Sequence, residues 1–328
     1  MPTRHSQSWS VWARMLSSCT RRRSACGRYT ARHTVPLMRS VSFPWARGTA
    51  RRVEFGTLDI MPRTWSLITV TYNSAVPLRR YWSAERPANV EWVVVDNGST
   101  DDSIEIATAL GATVIAAETN LGFSAANNRG LQAATGEYIA FVNPDVRVGY
   151  PDLEELADAI DERGGLVSPQ LLNADGTLQP NGRGAPLLLH KILNRATSRD
   201  QDNGYRLTAE PTERMNVFWL IGAVVAGDAR TVRALGGWNE RFFLYYEDKD
   251  LSIRAWRGGF DVTLVGSLRW THGWARETTR FRLMPWVREL DSLFRFYTLY
   301  PEFLVGGAAV RRRHPLASER SGKLVGSD

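Results

Sequence analysis

From Ser66 onward the chain alternates runs that are apolar throughout with short runs of helical pattern, and this alternation constrains its fold more than any other feature. SLITVTY, VEWVVVD, ATVIAAE and EYIAFVN read as strands; VPLRRYWSA, DDSIEIATAL and SAANNRGLQAAT read as the helices between them, the second capped by Ser99 or Thr100. A strand without a polar face has to be covered on both sides, which calls for a parallel sheet sandwiched by helices. The expected fold class is therefore α/β: a Rossmann-like, mostly parallel central sheet with helices on both faces. In such sheets ligands bind beyond the carboxyl ends of the strands.

After Pro151 the pattern continues with a helix (DLEELADAIDE), a short strand (GLVSP) and a long irregular stretch from Asn173 to Arg214. A stretch of that length without regular structure is expected to be a functional loop or lid. Order returns with NVFWLIGAVVAG and the helix DARTVRALGG. A last helical run, LMPWVRELDSLFRFYTLY, places Trp286, Leu290, Leu293, Phe294 and Tyr297 on one face. Packing on the domain and lying on a membrane surface, with Arg280, Arg282, Arg288 and Arg295, are both open for this segment, residues 276–303. Residues 304–328 read as a flexible tail.

Charge divides the chain unevenly. Residues 1–53 hold eleven arginines and no acidic residue, while the chain as a whole carries +7. Its basicity thus belongs to an N-terminal extension, residues 1–62, expected to be disordered and to lie outside the natural protein, with Met61 as the alternative start. Arg14 interrupts VWARML, so no apolar core of a secretory signal follows the first arginines. Nucleic-acid binding would rest on this extension alone, and no nucleic-acid partner is expected. Both cysteines, Cys19 and Cys26, lie in it, which leaves the body without a disulfide or thiolate metal site and points to a reducing, cytoplasmic setting. The longest apolar runs fall short of the roughly 20 residues a membrane span requires.

The chemistry concentrates at the strand ends. Asp96 closes VEWVVVD ahead of the turn pair Asn97-Gly98, where its carboxylate can accept the imide N–H of a uracil or thymine ring. An Asx turn followed by a helix cap accounts for Ser99 to Asp102 but leaves Asp96 unexplained. In NLGFSAANNRG, Gly122 permits close approach of backbone to a ligand at a helix start. Neither GxGxxG nor a Walker loop follows any strand, which counts against dinucleotide and ATP enzymes. Asn143-Pro144-Asp145 ends the fourth strand and offers an oxygen ligand to a hard cation, although the triplet is also an ordinary turn. Further on, GWNERFFLYYEDKDLSIRAWRGGF sets Phe242, Phe243, Tyr245 and Tyr246 against Glu247, Asp248 and Asp250. Lowered polarity there suits a carboxylate to proton transfer, and the helix macrodipole alone also favours acids in a first turn.

Taken in order and spacing, VTYNS, VVVDNGSTDDS, NLGFSAANNRG, EYIAFVNPDV and GWNERFFLYYEDKDLSIRAWRGGF resemble the family-two glycosyltransferases of GT-A fold, over about Ser66 to His272. NPD in place of DxD, with LLNADGTLQPNGRGAP and FFLYYEDKDL, is similar to the bacterial rhamnosyltransferase branch. The resemblance implies a GT-A domain over 63–275 that transfers a sugar with inversion from a nucleoside diphosphate donor. It makes Asp96 the base-recognition residue and brings Thr71, Asn73, Asn120, Gly122, Asn128 and Asn143 to the donor. Asp145, with His272, becomes the ligand of Mg²⁺ or Mn²⁺, Asp248 the general base and Glu247 its support. Trp219, Arg183 and Arg254 fall to the sugar and acceptor region; for Arg254 a salt bridge to a nearby acid is the equal alternative. The implied donor is dTDP-L-rhamnose, with a UDP-hexose or UDP-HexNAc as the alternative. The implied acceptor is lipid-linked or a polysaccharide of the cell envelope, reached at the inner face of the membrane. A noncatalytic nucleotide-sugar or glycan-binding module is the reading from another class.

Overall fold

The computed structural model describes residues 62–188, 205–273 and 283–325. Residues 1–61, and with them the expected N-terminal extension, lie outside the described residues. Four parallel strands form the first half of the sheet: β1 (Trp65–Thr71), β2 (Val90–Asp96), β3 (Thr113–Ala116) and β4 (Tyr138–Val142). They stand in the order β3-β2-β1-β4, so the chain winds outward from β1 and returns to its other side. That reversal opens a crevice at the carboxyl ends of β1 and β4.

Beyond β4 the sheet becomes mixed. After β5 (Val146–Arg147) come β6 (Leu166–Leu172), β7 (Leu178–Gln179), β8 (Gly182–Arg183), β9 (Arg206–Leu207), β10 (Arg214–Asn216), β11 (Trp219–Leu220), β12 (Val224–Asp228) and β13 (Val262–His272). β12 inserts antiparallel between β4 and β6; β13 runs parallel to β6, and β10 closes the edge. The apolar run NVFWLIGAVVAG thus spans the end of β10, all of β11 and most of β12. Part of the stretch read as irregular forms a small sheet, β11-β8-β9.

Alternation along the strands distributes the core to both faces. In β4, Tyr138, Ala140 and Val142 join one buried cluster while Ile139 and Phe141 join the other. Helices cover each side, Ala75–Tyr81 and Leu153–Arg163 on the first and Phe123–Ala133 and Glu247–Arg257 on the second. The helix Ser103–Ala109 begins at Asp102 without a side-chain cap, and the expected caps serve other partners: Ser99 bonds Asp96, and Thr100 donates to Asn73.

The helix Leu283–Leu299 packs on the body by a face that shares Leu293 and Tyr297 with the one expected but not Leu290 and Phe294. Ser292, Phe296, Tyr297 and Tyr300 are buried, whereas Val287, Leu290 and Phe294 point outward and are more than half exposed. Tyr297 stands at the margin of the buried face, and Leu290 and Phe294, seven and three residues before it, lie just beyond that margin, so the expected stripe is buried along one edge only. Residues 302–320, read for the most part as flexible tail, form three short helices and bury Phe303, Val310, His314 and Ala317. Gly306 and Pro315 break the periodicity there and hide it from a pattern reading. His314 stacks on Phe303 and meets Glu302 at 2.6 Å, and Arg257 reaches the same carboxylate at 3.1 Å. No described helix is long and apolar enough to cross a membrane.

Candidate active site

The end of β1 pairs with the end of β2, which puts Thr71 opposite Asp96. Asp96 is buried and accepts from the Thr71 hydroxyl at 2.9 Å, from the Ser99 amide at 2.9 Å and from the Ser99 hydroxyl. Asp96 is therefore itself the acceptor of the turn that had seemed unrelated to it. A carboxylate offers about four acceptor positions, and three are used; the remaining one is on Oδ2. Asn73, in the left-handed region at φ 53°, is held by the Thr100 amide on its side chain and the Ser99 hydroxyl on its own amide. Ser99 was missed as a functional residue, and its three-residue spacing from Asp96 was the available signal.

Asn120 and Gly122 are tied to the same corner. Asn97 donates to Asn120 at 3.0 Å and accepts from the Leu121 amide at 2.7 Å. The close approach at Gly122 is made by the protein, not left for a ligand: at φ +85° a Cβ there would lie 2.7 Å from the Phe243 carbonyl. That carbonyl accepts the Phe123 amide at 2.7 Å and locks the start of the helix Phe123–Ala133 to the aromatic segment. Asn128 spends its whole amide on the turn at residues 238–240, bonding both the amide and carbonyl of Trp238 and the Glu240 carboxylate. It is a fastening for that turn and has no donor left for a nucleotide.

Asp145 and His272 are brought together by the antiparallel pairing of β5 with the end of β13. His272 Nε2 lies 3.3 Å from Asp145 Oδ1, and Nδ1 lies 2.7 Å from Gln179 Oε1. Gln179 donates its own amide to Asn173, which orients Oε1 toward the ring. A neutral imidazole held in this way carries its proton on Nδ1 and turns the Nε2 lone pair toward a carboxylate oxygen. Two electron-pair donors at that separation fit adjacent corners of an octahedron about a divalent cation, for which about 3 Å is expected with ligand bonds near 2.1 Å. Among the described residues no third His, Cys, Asp or Glu joins them, so the remaining positions suit water and phosphate oxygens. Gln179 falls within LLNADGTLQPNGRGAP, but nothing in that stretch ties it to His272.

Asp248 stands in the first turn of the helix Glu247–Arg257, preceded by Tyr245 and Tyr246 at φ 72° and 71°. Two consecutive non-glycine residues in the left-handed region store roughly 1–3 kcal/mol each. That strain is held by Tyr246, buried against Phe296, and aims the head of the helix inward. Asp248 Oδ2 accepts the Gly222 amide at 3.3 Å, and Oδ1 lies 3.7 Å from the Lys249 ammonium. The residue after Gly222, Ala223, accepts the Asn143 amide at 2.9 Å. One short turn before β12 thus links the Asn143-Pro144-Asp145 corner to Asp248.

Glu247 is buried, and its carboxyl is pushed up to about 8, first by burial and then by the charge of Asp248. Its Oε2 has no hydrogen-bond partner. Near neutral pH Glu247 holds its proton beside Asp248. Asp250, read as a helix-start residue, is a buried hub that bonds Asn239, Tyr300 and Arg254. Arg254 in turn donates to the Leu235 and Gly237 carbonyls. Its guanidinium braces the helix from within the protein. Trp219 is buried beneath Lys249, whose ammonium lies 4.1 Å from the ring centre, and Arg183 approaches the same ring at 5.8 Å.

Residues 66–211 match Glycosyl transferase family 2. The chain is 31% identical over 249 residues to the N-acetylglucosaminyl-diphospho-decaprenol L-rhamnosyltransferase of Mycobacterium tuberculosis, covering 68% of this chain and 78% of the relative. It is 24% identical over 225 residues to the low-salt glycan biosynthesis hexosyltransferase Agl10 of Haloferax volcanii, covering 66% and 69%. Among solved structures it is similar to GalNAc-T7 with UDP, GalNAc and Mn²⁺, at TM-score 0.54 and 18% identity over 80% of this chain and 55% of the other. A second is the mannosyltransferase PcManGT of Pyrobaculum calidifontis with GDP-Man and Mn²⁺, at TM-score 0.51 and 16% identity over 79% and 69%. At those identities the two structures speak to the fold alone. With its mixed, mostly parallel sheet, the crevice at the ends of β1 and β4 and this match to a rhamnosyltransferase, the chain belongs to glycosyl transferase family 2, a nucleotide-sugar glycosyltransferase of GT-A fold.

Proposed function

We propose that this protein transfers a sugar, with inversion, from dTDP-L-rhamnose to a lipid-linked or polysaccharide acceptor of the cell envelope. The observation that carries the reading is Asp248: a carboxylate in a helix's first turn, oriented by the Gly222 amide and joined through Ala223 to the Asp145 corner. Likeness to the mycobacterial rhamnosyltransferase supports the donor and a lipid-linked acceptor.

In this reading Asp96, with Thr71 and Asn73 beside it, receives the base of the donor. The free position on Asp96 Oδ2 accepts the imide N–H common to thymine and uracil, so this contact selects a pyrimidine without choosing between them. Asp145 and His272 would hold Mg²⁺ or Mn²⁺, with Gln179 fixing the imidazole. Such a cation, when bound, offsets the negative charge that develops on a departing diphosphate.

Asp248 accepts the proton of the acceptor hydroxyl as that oxygen attacks the anomeric carbon from the face opposite the diphosphate. Direct displacement inverts the centre and needs no covalent sugar intermediate. Glu247, protonated and buried, does not compete for that proton and adds no second charge beside Asp248. The aromatic residues Phe243, Tyr245 and Tyr246 limit water at the same point. The domain that does this chemistry spans residues 63–275, with the helices after residue 283 packed on it.

Thermal stabilisation across a panel of nucleotide sugars with Mn²⁺ tests the donor. The rhamnosyl reading expects dTDP-L-rhamnose to stabilise the protein most; stabilisation by UDP-hexoses or UDP-HexNAc alone would overturn it. Binding without transfer to any acceptor would favour a noncatalytic module.

A further inference from the structure

Exposed apolar side chains gather at one place on this fold. Six of the nine large apolar residues that stand exposed among the described residues fall between positions 287 and 305: Val287, Leu290, Phe294, Leu299, Leu304 and Val305. Single exposed apolar residues are common on soluble proteins, whereas a cluster marks a surface that something covers. Val287, Leu290 and Phe294 recur at i, i+3 and i+7 of the helix Leu283–Leu299, so they form one stripe, with Phe294 72% exposed. Leu304 and Val305, the latter 79% exposed, follow in the short helix Glu302–Val305.

Charge indicates what covers it. Residues 283–325 hold seven arginines and lysines against four acids. Two of those acids are engaged by the protein itself: Asp291 pairs with Arg295 at 2.7 Å, and the buried Glu302 meets Arg257 and His314. Arg311, Arg312 and Arg313 are exposed and form no ion pair among the described residues. Arg311 reaches back to Gly307, two residues past Val305. Apolar side chains beside a basic cluster match the two layers of an anionic bilayer surface, the acyl boundary and the headgroups. A symmetric pair of chains would instead bring two copies of the same basic cluster into one interface, which disfavours a second copy as the occupant.

The same helix borders a cavity. Glu289 and Tyr297 line a space of about 390 Å³ together with Tyr246 and Lys249, which stand at the head of the helix Glu247–Arg257. Tyr297 comes three residues after Phe294 and seven after Leu290, so the outward stripe runs next to the side of the helix that faces the cavity.

We propose that this stripe, with Leu304, Val305 and the arginines at 311, 312 and 313, forms a docking surface for an anionic lipid bilayer. Leu290 and Phe294 enter the acyl boundary, the arginines meet headgroup phosphates, and the cavity comes to lie beside the lipid surface. The surface carries this inference by itself, and it stands or falls independently of Asp248 and of the donor.

Residues 1–53 hold eleven arginines and no acid, which attract anionic vesicles on their own account, so the readout has to be local. An environment-sensitive fluorophore is attached to F294C in the full chain with both natural cysteines replaced (C19S, C26S), and to V76C in the same background. Val76 is exposed and belongs to the helix Ala75–Tyr81, which covers the other face of the sheet. Vesicles of mixed phosphatidylglycerol and phosphatidylcholine, and of phosphatidylcholine alone, are titrated at physiological salt. The expected result is a blue shift at position 294 with the anionic vesicles, none at position 76, and little at either with the neutral ones. R311Q/R312Q/R313Q should need roughly tenfold more anionic lipid for the same shift. Emission at 294 that stays unchanged at saturating anionic lipid overturns the proposal, and sedimentation with vesicles in that case belongs to the N-terminal arginines. Equal shifts at 294 and 76, equal shifts with neutral vesicles, or an unchanged lipid requirement in the triple variant overturn it as well. So does a shift at 294 that grows with protein concentration in the absence of lipid, because a second copy of the chain would then be the occupant.

Discussion

Replacing Glu247 by Gln separates the two acids at the head of the helix by their effect on stability. The folded protein holds the Glu247 proton up to about pH 8, whereas an unfolded glutamate releases it near 4.5. Between those values the unfolded chain binds fewer protons, so stability falls as pH rises from about 4.5 to about 8 and is level above. At about 1.4 kcal/mol per pH unit the full window corresponds to a ceiling of about 5 kcal/mol. Local opening and water entry reduce such penalties, and about 2 kcal/mol is the expected effect. For a unit of this size that is roughly 4–8 °C in melting temperature. Gln keeps the shape and cannot ionise. The melting temperature of Glu247→Gln minus that of wild type should therefore increase by several degrees between pH 5 and pH 8.5. Taking the difference removes any constant packing cost of the amide. Parallel melting curves across that range would refute the reasoning, because they would mean that Glu247 is ionised in the folded protein and shares the charge of Asp248.

Gly122→Ala should destabilise the protein by about 2 kcal/mol or more in denaturant titration, since it sets a Cβ against the Phe243 carbonyl at a positive φ. Thr71→Val removes one of the three hydrogen bonds that orient Asp96 and should weaken nucleoside diphosphate binding by roughly tenfold in calorimetry. Arg254→Gln should lower the melting temperature and leave the KM for donor unchanged, because its partners are Asp250 and backbone carbonyls. A rise in KM alone would return Arg254 to the donor site. Replacing both Leu290 and Phe294 with Glu should leave the fold intact and lower sedimentation with anionic vesicles, if the outward face of that helix is the peripheral membrane contact.

The alternation of apolar strands and short helices made the sheet legible, because a strand without a polar face admits few neighbours. The strand-end residues were legible for the same reason: Asp96, Asn143 and Asp145 stop strands whose ends converge. What stayed hidden depended on contacts distant in sequence. Asn128 and Arg254 carry the right chemistry for a ligand, and only their partners at residues 235–240 show that their groups are already taken. Gln179 reaches His272 across 93 positions, and no local pattern announces it. Antiparallel insertion of β12 was equally invisible, since a buried strand reads the same in either direction. Lys249 lay in plain view between two acids, yet its place against two aromatic rings comes from the packing of β11 and the strained turn at Tyr245 and Tyr246.

The central claim is that Asp248 takes the proton from the acceptor, and single-turnover transfer by Asp248→Asn measures it most directly. With donor affinity followed in parallel, transfer should fall by a factor on the order of 10³ or more while nucleotide-sugar binding stays within about twofold of wild type. Transfer at the wild-type rate in a variant that still binds donor would contradict the account and move the base elsewhere in the crevice.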